Sequence, residues 1–294
     1  MTRYRLALLG AGAMAANHAR VIAASRRASV AVVVDREEHR AERLARALGA
    51  TATTDISLGF DCDAAVVATA TSAHAQAALA LIEAGLPVLI EKPLAATWRE
   101  TCQIVDAAGC RDVELMCGLV ERFNPAFARL RKYSLSGQSH VRTVRIGPPP
   151  LVVHSSVVDD VLLHDLDLVL MLAACDPVVE VVAQAQDWKG DWPETITCRL
   201  TFASGMTASL YASRVAATRS RVFAIEENGN SQRVDLLQSR ETALASQFDH
   251  FIDLVERSTF SEREVERRSL LPSHELAHRV QSHLDDARQP SCAS

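Results

Sequence analysis

Short, almost wholly apolar segments, each followed by an alanine-rich stretch of helical period, fill the first ~120 residues and restrict this chain more than any other feature. The apolar runs are "YRLALLG" (4–10), "SVAVVVD" (29–35), "CDAAVVATA" (62–70), "LPVLIE" (86–91) and "VELMCGL" (113–119). Helices are predicted between them, near 13–25, 37–48, 73–84 and 97–108. Strands that are apolar throughout rather than alternating are those buried on both faces, so the pattern predicts βαβ units around a parallel sheet.

The pattern changes near Arg122. A short helix containing "NPAFARLRKY" precedes a strand, "VRTVRIG", that runs into three prolines at 148–150, which neither a helix nor a central strand tolerates. Period-two segments come later. In "ETITCRLTF" Ile196, Cys198, Leu200 and Phe202 share one face and Thr195, Thr197, Arg199 and Thr201 the other. "ASG" (203–205) turns this strand into "MTASLYASRV", and "ENGN" (227–230) marks a hairpin. Two more helices are predicted near 241–257 and 273–287. The expected fold class is α/β: a doubly wound parallel-sheet domain over 1–121, then an α+β domain over 122–294 with an open, mainly antiparallel sheet.

"GAGAMA" (10–15) directly follows the first strand and opens a helix. In this G-x-G-x-x-A turn Gly10 permits the tight bend, Gly12 lets the backbone approach a pyrophosphate, and Ala15 allows close helix–strand packing. Asp35 ends the second strand twenty residues beyond Ala15, where a carboxylate accepts hydrogen bonds from the ribose hydroxyls of an adenosine. Strand, glycines, helix and acid together predict a Rossmann dinucleotide-binding domain. The carboxylate at 35 repels a 2′-phosphate and favours NAD, while Arg36 beside it leaves NADP possible.

A net charge of −5 offers no basic surface for nucleic acid, and no apolar stretch approaches the ~18 residues that span a membrane. The apolar run before "GAG" is too short for a signal peptide. Seven cysteines, scattered without a CxxC pair, argue for reduced thiols, a cytoplasmic location and no metal site.

Lys92, in "IEKPL" (90–94), is the sole lysine of the nucleotide-binding stretch 1–121, in a chain of only three lysines, and lies where a parallel strand ends. Ligands of open α/β sheets bind at such ends, and a lysine, unlike an arginine, can be tuned to exchange its proton. The segment "VDDVLLHDLDLVLML" (158–172) raises a second question, because it threads Asp159, Asp160, His164, Asp165 and Asp167 through an oily helix. At 100° per residue Asp160, His164 and Asp167 fall within about 60° of one another. A carboxylate and an imidazole four apart can share a proton, or form a satisfied core hydrogen bond. Asp165 and Asp167 read as capping or salt-bridging residues, and His18 as either a pyrophosphate neighbour or a helix-surface residue. His154 and the histidines at 274, 278 and 283 read as structural or solvated.

"GAGAMAANH", Asp35, "ATATSAH" (68–74), "EKPL", "RFNPAF" (122–127) and Asp160-x-x-x-His164, in this order, resemble the Gfo/Idh/MocA oxidoreductases. The resemblance implies a Rossmann domain, a second domain whose open sheet mediates homodimers or homotetramers, and NAD(P)-dependent oxidation or reduction of a secondary alcohol on a sugar, inositol or nucleotide sugar. It implies that Gly10, Gly12, Ala13, Met14, Ala15, Asp35 and Arg36, with Thr69, Thr71, His74, Glu91 and Lys92, hold the cofactor. Lys92, Asp160 and His164 are implied to be catalytic and to contact the substrate, with Arg122 and Asn124 lining the sugar pocket. Ala70 stands where the family has a proline, and "SSVVDD" replaces a glycine-rich approach to the histidine helix. The expected activity is oxidation of a ring hydroxyl of a sugar phosphate or nucleotide sugar. A keto-sugar reductase and a non-catalytic, cofactor-binding regulatory protein are the alternatives.

Overall fold

The structure is a computed structural model that describes residues 3–150, 155–190 and 192–288; His154 and Cys292 lie outside them. The chain divides into two compact units, Met1–Gly118 with Leu244–Leu271 and Leu119–Ala243 with Pro272–Ser294. The division therefore departs from the simple 1–121 and 122–294 split, since a late helical stretch groups with the N-terminal half.

In the first unit β1 (Tyr4–Leu9), α1 (Ala13–Ala24), β2 (Ala28–Val34), α2 (Glu38–Leu48), β3 (Thr51–Thr53), β4 (Ala64–Val67), α3 (His74–Glu83), β5 (Val88–Ile90), α4 (Trp98–Arg111) and β6 (Leu115–Cys117) follow in order. The six strands form one all-parallel sheet in the order β3-β2-β1-β4-β5-β6. Strand order reverses at β1/β4, the switch point where such sheets bind ligands. Leu6, Leu8, Val33, Val66 and Leu89 are fully buried, as the unbroken apolar runs require. β3 is absent from the sequence reading because it is a three-residue edge strand, "TAT", with no apolar run to mark it.

In the second unit α5 (Pro125–Leu130) and β7 (His140–Ile146) precede a π-helical turn (Val158–Leu162) that continues into α6 (Leu163–Ala173). β8 (Val178–Lys189), β9 (Trp192–Phe202), β10 (Thr207–Ser213), β11 (Ser220–Glu227) and β12 (Asn230–Asp235) complete the sheet, in the order β12-β11-β7-β10-β9-β8. Only β7 and β10 pair in parallel; the remaining pairs are antiparallel. Cys198, Leu200, Ala208, Leu210 and Phe223 fill the buried face. Asn228 and Gly229, both at positive φ, make the β11–β12 hairpin turn that Asn-Gly announces. The chain ends in α7 (Arg240–Arg257), α8 (Phe260–Ser269) and α9 (Leu271–Arg288). Among the described residues no helix is long and apolar enough to cross a membrane.

Candidate active site

At the end of β1, Gly10 has φ +97, and a Cβ there would lie 2.4 Å from the Ala68 carbonyl oxygen, so only glycine fits. Gly12 differs. A Cβ on it would meet nothing nearer than Arg40 Nη2 at 3.8 Å, so the absent side chain leaves open space over the turn. α1 begins there with no side-chain cap, and Ala15 is fully buried against the sheet. This open cradle at a helix N-terminus suits a pyrophosphate, and the residues present therefore fit a dinucleotide. Asp35 supports the turn directly, its Oδ2 accepting from Ala11 N at 2.7 Å and its Oδ1 from Glu37 N at 3.0 Å. Ala13 and Met14 form the exposed and half-buried first residues of α1, and the Arg36 side chain is 87% exposed.

Glu91 and His74 are buried, and their side chains bond protein groups in the loops around Lys92. His74 is buried, with Nδ1 2.9 Å from the Pro93 carbonyl oxygen and Nε2 3.3 Å from that of Thr69. Burial outweighs these bonds and lowers its pKa, and the ring lies between the 69–71 loop and the "EKP" turn, within bonding distance of a carbonyl on each. Glu91 Oε1 lies 2.6 Å from His18 Nε2, and its Oε2 accepts from Lys92 N at 3.2 Å. Burial pushes the Glu91 carboxyl up, but the bond and charge of His18 and the charge of Lys92 win and hold it below the usual range. His18 is thus buried rather than on the helix surface. Its buried position was legible, since Ala15, His18, Ala19 and Ile22 form the i, i+3, i+4, i+7 inner stripe of α1.

In the second unit the odd polar string resolves into separate roles. α6 is buried on all sides, including His164 (8% exposed), Asp165 and Asp167. Asp165 takes Arg145 Nε at 2.8 Å, and Asp167 takes both Arg122 Nε at 2.8 Å and Nη2 at 2.6 Å. Arg145 also bonds Glu121 at 2.9 Å, which accepts from Arg221 at 2.8 Å and from Asn124 at 2.8 Å. Burial raises the Glu121 carboxyl, yet the charges of Arg145 and Arg221 overrule it and hold it low; at Asp165 burial prevails and raises it.

Arg122 and Asn124, expected to line the pocket, are both held by protein groups, Arg122 by its two bonds to Asp167. Asn124 is fully buried, its Oδ1 capping α5 through Ala126 N and its Nδ2 donating to Glu121 and to the Leu236 carbonyl. It is thus the N-cap of α5.

Asp160 stands on the π turn with its side chain 40% exposed, and Arg214 Nη1 lies 3.5 Å from its Oδ2. The wider turn also changes the angle between Asp160 and His164 from the α-helical value assumed from spacing, and π turns of this kind recur at functional positions. Nothing in "SRV" (213–215) signals that Arg214 reaches this turn. Among the described residues no cluster of three or more His, Cys, Asp or Glu could hold a metal ion.

A glycine turn open to a dinucleotide at a switch point, with a second unit carrying an aspartate–histidine helix over an antiparallel sheet, defines an NAD-dependent oxidoreductase of two-domain type. The comparisons agree. The NAD-binding Rossmann-fold domain of the Gfo/Idh/MocA oxidoreductase family matches residues 4–119, and the C-terminal domain of that family matches 146–234. The chain belongs to the Gfo/Idh/MocA oxidoreductase family.

It is 31% identical to UDP-N-acetylglucosamine 3-dehydrogenase from Acidithiobacillus ferrooxidans over 76% of this chain and 72% of that one. The solved structure of that enzyme, GnnA, superposes with TM-score 0.86, covering 98% of this chain and 100% of the other at 26% identity. Myo-inositol dehydrogenase Hyg17 from Streptomyces leeuwenhoekii is 39% identical over 52% of this chain and 50% of its own length. GenD2 from gentamicin A biosynthesis, solved in complex with NAD, shares the fold at TM-score 0.89 and 21% identity, covering 98% of this chain and 96% of its own.

Proposed function

We propose that this NAD-dependent dehydrogenase oxidises a secondary ring hydroxyl of a nucleotide sugar, with Lys92, Asp160 and His164 as its working residues. The observation that carries the assignment of roles is the sorting of the polar string. Asp165 and Asp167 pair with Arg145 and Arg122 inside the unit, whereas the Asp160 side chain is 40% exposed four residues before His164. His164 takes the hydroxyl proton, Asp160 orients the imidazole, and Lys92 donates a hydrogen bond to the same oxygen as negative charge grows on it. Gly10, Gly12, Ala15 and Asp35 shape the seat of the dinucleotide, with Thr69 and Thr71 on the adjoining loop. NAD, when bound, supplies the hydride acceptor.

Nucleotide sugars are favoured over free inositols because, among relatives that span about three quarters of this chain, the UDP-N-acetylglucosamine dehydrogenase has 31% identity against 29% and 28% for two inositol 2-dehydrogenases. Cytoplasmic residence suits the thiols, since none of the six described cysteines forms a disulfide. The outer face of the second sheet, with Val182 and Tyr211 46% and 40% exposed, supports a homodimer or homotetramer.

A second reading, keto-sugar reduction with NADPH, is favoured by the two cations beside Asp35, Arg36 and Arg40. The test is a screen of purified protein with NAD and with NADP against UDP-N-acetylglucosamine, sugar phosphates and myo-inositol, following absorbance of the reduced cofactor. Turnover of the nucleotide sugar with NAD is expected. A large advantage for NADPH with a keto-sugar would establish the second reading, and tight NAD binding without turnover of any sugar would contradict both.

A further inference from the structure

Arg214 follows β10 and is almost wholly buried, with its side chain 4% exposed. Its Nε and Nη2 grip the Glu194 carboxylate at 3.0 and 3.2 Å, and Nη1 donates to the Ser155 carbonyl at 2.9 Å. The same Nη1 reaches Asp160 Oδ2 at 3.5 Å, a charge contact rather than a short hydrogen bond. Glu194 on β9 is as deeply buried as the arginine, while Asp160 is accessible. One cation therefore spans a hidden carboxylate and an accessible one. It also holds the backbone at Ser155, which leads into the π turn. Glu194 supplies the counter-charge without which a guanidinium would not remain buried. Of the other charged groups on this turn and the elements packed against it, Asp159 precedes Asp160 on the turn itself, and His164 lies one turn along α6. His140 and Arg142 stand earlier on β7, and Arg145 of β7 is committed to Glu121 and Asp165.

We propose that Arg214, clamped by Glu194, is the positioning residue for Asp160, keeping its carboxylate ionised and fixed at the head of the helix that carries His164. This rests on the reading of Asp160 and His164 as working residues. The two clamp residues have opposite electrostatic signatures. Replacing Arg214 by methionine removes a positive charge beside Asp160 and makes its ionised form harder to keep. Replacing Glu194 by glutamine leaves the cation uncompensated and makes that form easier to keep.

The test uses the full chain with NAD and two probes, UDP-N-acetylglucosamine and myo-inositol. Arg214→Met is expected to lower kcat/KM by about 10²-fold, as misplacement of a reacting group does, and to move the acid limb of the pH profile to higher pH. Glu194→Gln moves that limb to lower pH, and Arg214→Lys restores most of the activity. The ¹³C carboxyl resonance of Asp160, identified by its loss in Asp160→Asn, reports the same opposed movements without needing turnover. Loss of fold moves neither midpoint in opposite directions. Asp160→Asn with full turnover would overturn the underlying reading and the positioning role with it. Asp160→Asn inactive, with both clamp variants leaving the midpoint in place or moving it the same way, would overturn the positioning role alone.

Discussion

Gly10 and Gly12 are two residues apart and serve different ends. Gly10 has positive φ and a carbonyl where its Cβ would go, so Gly10→Ala strains the fold. A loss of more than 1 kcal/mol in denaturant unfolding is expected, with or without NAD. Gly12 has ordinary backbone angles and room for a side chain. Gly12→Val should unfold near the wild-type midpoint yet lose the rise in melting temperature that NAD gives the wild type, about 2.7 kcal/mol at a hundredfold excess over Kd. A valine variant that binds NAD normally would remove the cradle from the account. The motif itself declared both glycines; their different duties became visible only once Ala68 was seen beside one and open space beside the other. The Asp167 partner of Arg122 and the His18 partner of Glu91 were not legible, because hydrogen bonds between residues distant in sequence leave no local spacing to read. Asn124 before Pro125, by contrast, carries a local helix-cap signal.

Helices and strands with a period of their own were legible, and those without one were not. The apolar runs of β1, β2 and β4 and the alternation of β9 announce themselves, as does the hairpin at Asn228-Gly229. α8 went unpredicted although its start carries a signal: Thr259 and Glu262 form a capping box, Thr259 Oγ1 accepting from Glu262 N at 3.3 Å and Glu262 Oε2 from Thr259 N at 2.7 Å. Its polar composition concealed it. α4 begins with the same device at Thr97 and Glu100. Thr97→Ala should cost about 1 kcal/mol, read from the shift in urea midpoint at unchanged slope. A neutral result would mean that packing alone fixes the start of that helix. The π turn is the opposite case. Spacing arithmetic presumes one pitch, and an extra residue in a turn is invisible to it.

At the scale of the molecule, charge is spent twice, once on stability and once on chemistry. Glu121 and Asp165 against Arg145 and Arg221 form a buried set of two and two. Glu121→Gln leaves two guanidinium groups short of a partner and should cost roughly 3–5 kcal/mol. Because the folded pKa of Glu121 is depressed, its stabilisation is present above the unfolded value near 4.3 and is lost as pH falls through the folded value. Wild-type melting temperature should therefore drop in acid more steeply than that of the glutamine variant, and parallel curves would contradict the pairing. Lys92 belongs to the first unit, and Asp160 and His164 to the second, so the proposed reaction needs both stretches of chain. The most direct test follows reduction of NAD by UDP-N-acetylglucosamine in the wild type, Lys92→Met and His164→Asn, with NAD affinity measured in parallel. Each substitution should lower kcat by about 10²-fold or more while the NAD Kd stays within a few-fold of wild type. Near-wild-type turnover in both variants would contradict the assignment of these residues.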